Sequence, residues 1–183
     1  MEHNLLDTLM YQISGLFLTP VLLLIFILFI YSLYAIGKFL VQQQQRMRGK
    51  ARYQAAINAL HHCQPATEIK GFPLLNAAVS QPDLNFEQLE LRAITELEGP
   101  RVVTRIAPML GLIATMIPMG PALKSLADGN IQGISESLSI AFAAVIIGLI
   151  VSSVTYWIAA VSKRWYAEEL IDLNKIIAAS KEA

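Results

Sequence analysis

The sequence has little charge and only one cysteine, and each scarcity excludes a class of protein. Charged residues make up 15% of the 183 residues, hydrophobic residues make up 55%, and the mean hydropathy is +0.50. Soluble chains carry roughly 25% charged residues, so this composition argues against a soluble domain. Cys63 has no second cysteine to pair with, which excludes an internal disulfide and most zinc sites.

Motifs of enzymes and of nucleic-acid-binding proteins are also absent. The net charge is +0, so no overall basic field attracts nucleic acid, and no helix-turn-helix, zinc-finger or RNA-binding aromatic motif occurs. We find no nucleophile–base pair, metal cluster or phosphate-binding loop. We therefore expect no catalytic residue, cofactor, metal site or nucleic-acid partner, and no enzymatic activity. His61, His62 and Cys63 are adjacent, but neighbouring helix positions point in different directions, which favours a surface or packing role over a metal site.

The charged residues that do occur leave three long apolar stretches. A helix needs about 20 apolar residues, at about 1.5 Å each, to cross a bilayer. We predict an all-α integral membrane protein with three transmembrane helices and helical cytoplasmic extensions. The predicted segments are an extracytoplasmic N-terminus (1–15), span one (16–41), a cytoplasmic helical loop (42–102), span two (103–123), an extracytoplasmic turn (124–136), span three (137–162) and a cytoplasmic C-terminal helix (163–183).

Positive charge predicts the orientation in the membrane. The tail before span one has no Lys or Arg, which also argues against a cleavable signal peptide. Lys124 lies at the outer end of span two. The other flanking cations lie on the opposite side: Arg46, Arg48, Lys50, Arg52, Arg92, Arg101, Arg105, Lys163 and Arg164. The positive-inside rule therefore predicts an outside N-terminus and an inside C-terminus in the inner membrane.

The segments between the spans carry helix signals. Asn85 and Gln88 have the spacing of a capping box, and Gly99 with Pro100 predicts a break or kink before span two. The C-terminal stretch is amphipathic, since charged residues alternate with apolar ones: Glu168, Glu169, Asp172 and Lys175 with Ile171, Leu173, Ile176 and Ile177. We favour a continuation of span three that packs on the inner domain, over a separate helix that binds a partner.

Small residues in spans two and three predict close helix packing. Ala144, Gly148 and Ser152 recur at steps of four, with Ala141 and Thr155 on the same face. Helices in lipid associate through such small residues. This face joins the hairpin or joins one subunit to the next.

The prolines of span two are harder to explain by packing alone. Pro108 fits in a first helical turn, whereas Pro118 removes a backbone hydrogen bond from the carbonyl of Ala114. A free carbonyl in lipid is costly, so we infer that 115–121 faces protein or water. The Thr115 hydroxyl is then either a polar group that faces this interior, or it donates a hydrogen bond to a carbonyl of its own helix.

No carboxylate or histidine lies inside the three spans; Glu136 lies at the outer end. A proton relay normally needs a titratable group within the membrane. If the chain conducts, another protein must supply that group.

Two motifs resemble those of the MotA/TolQ/ExbB proton channel family. Residues 107–115 read APMLGLIAT, similar to the family's A-P-x-x-G-L-x-G-T, and residues 143–149 read AAVIIGL, similar to its A-T-A-I-G-L. The resemblance implies a homo-oligomeric ring of five copies around two single-span partners of the ExbD/TolR/MotB type. It also implies that spans two and three line a pore, that span one faces the lipid bilayer, and that a partner aspartate carries protons.

The resemblance also implies roles for single residues. Thr115 falls on the family's pore threonine, while Val145 replaces its second pore threonine and Ile140 its pore glutamate. The predicted ion pathway comprises Thr115, Gly111, Val145, Gly148, Ser152 and Glu136. The predicted helix kinks are at Pro108 and Pro118, and the predicted subunit packing involves Ala141, Ala144 and Gly148.

These observations favour a proton channel subunit of a stator-like complex that couples ion flow to movement of a single-span partner. The alternative is a non-conducting membrane scaffold with the same ring. A secondary transporter subunit is disfavoured, since the chain has no inverted repeat and no charge at the bilayer midplane.

Overall fold

The computed structural model describes residues 2–61, 68–81, 85–127 and 129–182, with side chains for 16–60, 68–81, 85–127 and 129–178. These residues form the helices α1 (Glu2–His61), α2 (Pro73–Ser80), α3 (Phe86–Ala127) and α4 (Ile131–Glu182). No strand occurs in the described ranges. Three of the helices, α1, α3 and α4, are long and apolar enough to cross a membrane. The prediction of an all-α chain with three spans is confirmed.

The three long helices run far beyond the spans that they contain. α1 has 60 residues, α3 has 42 and α4 has 52, whereas a span needs about 20. The expected break at Gly99 and Pro100 is wrong, because α3 continues through both residues. A proline removes one backbone hydrogen bond, and the burial of Leu89 and Leu97 along one face of α3 holds the helix in place.

Side-chain oxygens near the helix starts accept hydrogen bonds from nearby backbone N–H groups. The Asn85 N–H donates to Gln88 Oε1 at 3.0 Å, which is one half of the predicted capping box. Asn130 precedes α4, and its Oδ1 accepts a hydrogen bond from the Gly133 N–H at 3.1 Å. The turn between α3 and α4 includes Gly129 at φ +70°, a backbone conformation that glycine adopts without steric cost.

The chain divides into two compact units. The first unit comprises Met1–Tyr34 and Val102–Tyr156, and the second comprises Ala35–Arg101 and Trp157–Ala183. In the first unit, Val21 and Ile25 of α1 pack against Ala114 of α3 and Ala144 of α4. Most large apolar side chains of this unit are exposed on its outer surface, as expected for helices in contact with lipid.

The second unit has a core of its own. Leu74 and Leu75 of α2 are fully buried with Leu89 of α3 and Leu173 of α4. α4 continues without a break to Glu182, and its last turns contribute to this core. The expectation that span three continues as one helix and packs on the adjoining domain is confirmed.

Candidate functional site

α3 and α4 approach each other closely at two glycines of the first unit. A Cβ atom on Gly148 would lie 2.8 Å from the backbone oxygen of Ala107, and one on Gly111 would lie 3.3 Å from Val145 Cα. Ala141 and Ala144 are buried along the same face of α4. The small residues therefore join the two helices within one chain. Their predicted part in contacts between copies remains a prediction.

A second contact between the two helices compensates for a proline. Pro108 has no N–H, so it leaves the Thr104 carbonyl four residues earlier without its usual helical donor. The Ser152 hydroxyl of α4 donates a hydrogen bond to that carbonyl at 2.8 Å. Serine side chains from neighbouring helices satisfy such carbonyls in membranes. Ser152, predicted as pore-lining, therefore bonds the backbone of α3 in the single chain.

A buried threonine extends this polar contact. Thr155 is fully buried. Its Oγ1 lies 2.9 Å from Thr104 Oγ1 and 2.9 Å from the Val151 carbonyl oxygen. The three hydroxyls of Thr104, Ser152 and Thr155 form a small polar cluster between two otherwise apolar helix faces. This cluster fixes the register of the α3–α4 hairpin, because its partners lie on both helices.

Thr115 is placed apart from that cluster. Its side chain is half-buried, and its hydroxyl donates to the Leu112 carbonyl oxygen of its own helix at 2.6 Å. Within one chain, the Thr115 hydroxyl therefore bonds a carbonyl of its own helix, which is one of the two alternatives that the sequence left open. Val145 is half-buried beside Gly111, and Pro118 is buried. α3 is helical through both Pro108 and Pro118.

Glu136 lies near the start of α4, whereas the hydroxyl cluster lies near the middle of this helix. It is exposed and accepts a hydrogen bond from Gln132 Nε2 at 3.1 Å, within the first two turns of the helix. Ile140 follows one turn later and is 48% exposed. Within one chain, the predicted pathway residues are thus distributed along the hairpin: Glu136 at its turn end, Val145 and Thr115 midway, and Ser152 at the other end.

The most highly connected charged pair lies in the second unit. Arg46 of α1 and Glu169 of α4 form a buried ion pair. Glu169 Oε2 also accepts hydrogen bonds from the N–H groups of Leu74 and Leu75, at 3.1 and 3.2 Å. These are two of the first donors of α2, whose first residue, Pro73, has no N–H to offer. A carboxylate at the positive end of α2 also complements the helix dipole.

Aromatic rings surround the guanidinium of Arg46. Its Cζ lies 4.7 Å from the ring centroid of Phe72 and 4.9 Å from that of Trp165. Burial raises the pKa of the Glu169 carboxyl, and the positive charge of Arg46 opposes that rise. The pair joins α1, α2 and α4 within the second unit.

Sequence reasoning missed the buried ion pair of Arg46 and Glu169. The amphipathic pattern predicts Glu169 on a polar helix face, and Arg46 counts only among the cations that orient the chain. Thr104 carried a readable signal, since it lies four residues before a proline, and Ser152 and Thr155 lie one turn apart on α4. For Arg46 and Glu169, which are 123 residues apart, the sequence carries no local signal.

No cluster of metal-ligating side chains occurs in the part of the chain that the structure describes. His62 and Cys63 lie outside the described residues.

Comparison with known proteins identifies the family. The family model for the MotA/TolQ/ExbB proton channel family matches residues 83–175, just over half of the chain. The match includes all of α3 and α4 as far as Lys175. No curated protein and no solved structure matches the chain. This chain has three membrane-spanning helices, and the second and third form a tightly packed hairpin. It belongs to the MotA/TolQ/ExbB proton channel family.

Proposed function

We propose that this membrane protein is the ring-forming subunit of a proton channel that couples ion flow to the movement of a single-span partner. The observation that carries the proposal is the α3–α4 hairpin, which falls within the family match. Its helices approach to backbone contact at Gly148 and Gly111. The hairpin contains no carboxylate within its predicted spans. Such a hairpin supplies the wall of a pathway, and the partner supplies the titratable aspartate.

The proposed arrangement has copies of the chain around the partner in the inner membrane, with the N-terminus outside and the C-terminus inside. The cations that flank the spans support this orientation. α1 lies on the outer, lipid-facing side, in keeping with its exposed leucine and phenylalanine side chains. The chain carries out transport and no covalent chemistry.

Proton uptake into vesicles tests the proposal. Vesicles containing the chain and its partner should acidify under an imposed potential, and Thr115→Val should lower the rate at least tenfold if the hydroxyl serves the pathway. Ser153→Ala is the matched control. Like Thr115, Ser153 bonds a carbonyl of its own helix, that of Leu149 at 2.8 Å, and it is exposed on α4. Equal uptake by wild type and Thr115→Val would contradict the assigned pathway.

A non-conducting scaffold is the second candidate, and a specific observation favours it. Val145 and Ile140 are apolar where the family has polar pore residues. If the chain is a scaffold, neither wild type nor Thr115→Val conducts, while the partner still co-purifies with the chain. If the chain is a channel with a reduced polar lining, Val145→Thr should raise the uptake rate.

A further inference from the structure

A basic groove lies along α1 in the second unit. Its floor is one face of α1, since lining residues recur there at steps of three and four: Gln45, Arg48, Arg52, Ala55 and Ala59. Its wall is the connection that precedes α2, at residues 68–70. The groove is open and has a volume of about 940 Å³, which is the size of a small-molecule site.

The wall of the groove is held against α1 by specific contacts. The Ile69 N–H donates to Asn76 Oδ1 at 2.8 Å, and the Ile69 carbonyl oxygen accepts a hydrogen bond from Asn76 Nδ2 at 3.0 Å. Gly71 has φ +98°, and a Cβ atom there would lie 3.1 Å from Gln45 Cβ, so the backbone lies directly on α1. Lys70 stands between these two fixed residues, and its position along α1 is therefore defined.

Cations outnumber carboxylates in the lining of the groove. Arg48, Arg52 and Lys70 are exposed, and none of them has an ion-pair partner among the described residues. The carboxylate is that of Glu68, whose Oε1 accepts a hydrogen bond from the Ser80 hydroxyl at 2.8 Å. Guanidinium groups bind phosphate through two parallel N–H···O bonds. Two arginines one turn apart with a lysine opposite therefore suit a ligand that carries phosphate groups.

The position of the groove along α1 favours a soluble ligand over a lipid headgroup. Span one is predicted to end at residue 41, and the headgroup layer beyond it is roughly 5–8 Å thick. Arg48, Arg52 and Ala59 follow residue 41 at about 10, 17 and 27 Å along the helix. Arg52 and the apolar end of the groove at Ala59 therefore lie beyond the lipid headgroups, on the water side.

We propose that this groove binds a soluble organic molecule that carries phosphate groups. Arg48, Arg52 and Lys70 bind the phosphate oxygens. The small side chains of Ala55 and Ala59 leave room for the uncharged part of the molecule further along α1. All lining residues precede residue 83, where the family match begins. The site is therefore separate from the pathway proposed for the hairpin, and it does not depend on whether the chain conducts protons.

Calorimetric titration of the purified full-length chain tests the site. In a neutral detergent with EDTA, ADP should saturate a single site, whereas adenosine, which has no phosphate, should not bind. Arg48→Gln, Arg52→Gln and Lys70→Gln should each weaken ADP binding about tenfold, because each removes a charge-assisted hydrogen bond. Lys50→Gln is the matched control and should bind ADP as wild type does. Lys50 is an exposed cation of the same helix, so its replacement changes the net charge equally, but it does not line the groove.

A second measurement distinguishes a lipid headgroup as the source of the phosphate. Native mass spectrometry with added phosphatidylglycerol should show equal lipid retention by wild type and by Arg52→Gln, because Arg52 lies beyond the headgroup layer. The proposal is overturned if ADP does not saturate a site on the wild type, or if Lys50→Gln weakens ADP binding as much as Arg52→Gln does. It is also overturned if Arg52→Gln loses phosphatidylglycerol while its ADP binding is unchanged.

Discussion

Gly148→Ala is expected to open the α3–α4 hairpin, because the three atoms nearest to a new methyl group there all belong to backbone. The Cβ would lie 2.8 Å from the Ala107 oxygen and 3.5 Å from Gly111 Cα. Ordinary contact begins at 3.4 Å, so the helices must separate by about 0.6 Å. A gap of that size removes about a quarter to a half of the dispersion energy of each neighbouring contact. Lipid gives no hydrophobic gain to offset this loss.

The expected magnitude follows from two opposing effects. Overpacking of this kind costs about 1–3 kcal/mol. Alanine is favoured over glycine in a helix by about 1 kcal/mol. The net destabilisation by Gly148→Ala is therefore up to about 2 kcal/mol, and relative to an alanine at an open helical glycine it is about 1–3 kcal/mol. Gly37 is the matched control, since it lies in the predicted span of α1, no proline follows it, and a Cβ there would meet nothing within 4 Å. Gly37→Ala should be neutral or stabilising by up to about 1 kcal/mol.

Thermal unfolding in detergent, followed by tryptophan fluorescence, measures the difference. In a chain of this size each kcal/mol shifts Tm by about 2–4 °C. Gly37→Ala should therefore melt at or above wild type, and Gly148→Ala several degrees below Gly37→Ala. Gly148→Val should melt lower than Gly148→Ala. If Gly148→Ala melts together with Gly37→Ala, the backbone contact at Gly148 does not hold the hairpin, and the reasoning is refuted.

Three further predictions concern the polar contacts. Ser152→Ala should destabilise the hairpin by about 1–3 kcal/mol. The cost should be clearly less in a Pro108→Ala background, because the alanine N–H at position 108 then donates to the Thr104 carbonyl as in an ordinary helix. Equal costs in both backgrounds would show that Ser152 does not compensate for the proline. Glu169→Gln should lower the free energy of unfolding by about 3–5 kcal/mol, because it leaves the Arg46 charge buried without its partner. The double variant Glu169→Gln with Arg46→Met should lose less stability than that. A double variant whose loss equals the sum of the two single losses would contradict this. Burial, with the Asp172 carboxylate beside it, raises the pKa of Tyr53 above 10.0, so its stabilising contribution is complete below pH 10 and is lost as the pH rises through the folded-state pKa. Tyr53→Phe should therefore flatten the loss of stability above pH 10, and an unchanged alkaline transition would show that another group causes it.

Much of the fold was predictable from the sequence because it depends on local composition. The three spans follow from long apolar stretches, and the start of α3 follows from the spacing of Asn85 and Gln88. The expected break at Gly99 and Pro100 failed for a tertiary reason. Leu89 and Leu97 are buried in the second unit, and their packing keeps α3 helical through a sequence that would end an isolated helix.

The site was predictable only in part. The small residues of α4 identified the packing face, since close approach in lipid requires them, and Gly148 lies at that contact. Which surface faces a pore depends on other copies and on the partner, so periodicity within one chain does not specify it. Glu169 was placed on a solvated face because alternation of charged and apolar residues does not show which charged residue meets a distant cation and a helix end.

The hydroxyl groups of the hairpin fall into two groups, according to whether their hydrogen bonds join the two helices or stay within one helix. Thr104, Ser152 and Thr155 are bonded to one another or to backbone, so these hydroxyls are committed to holding α3 and α4 in register. Thr115 also bonds its own helix, but it is half-buried and can exchange that bond for another. An intrahelical bond of this kind is cheap to exchange, because the carbonyl keeps its backbone donor. Thr115 is therefore able to turn to another partner, as the proposed pathway requires, while the hydroxyls of Thr104, Ser152 and Thr155 keep the hairpin in register.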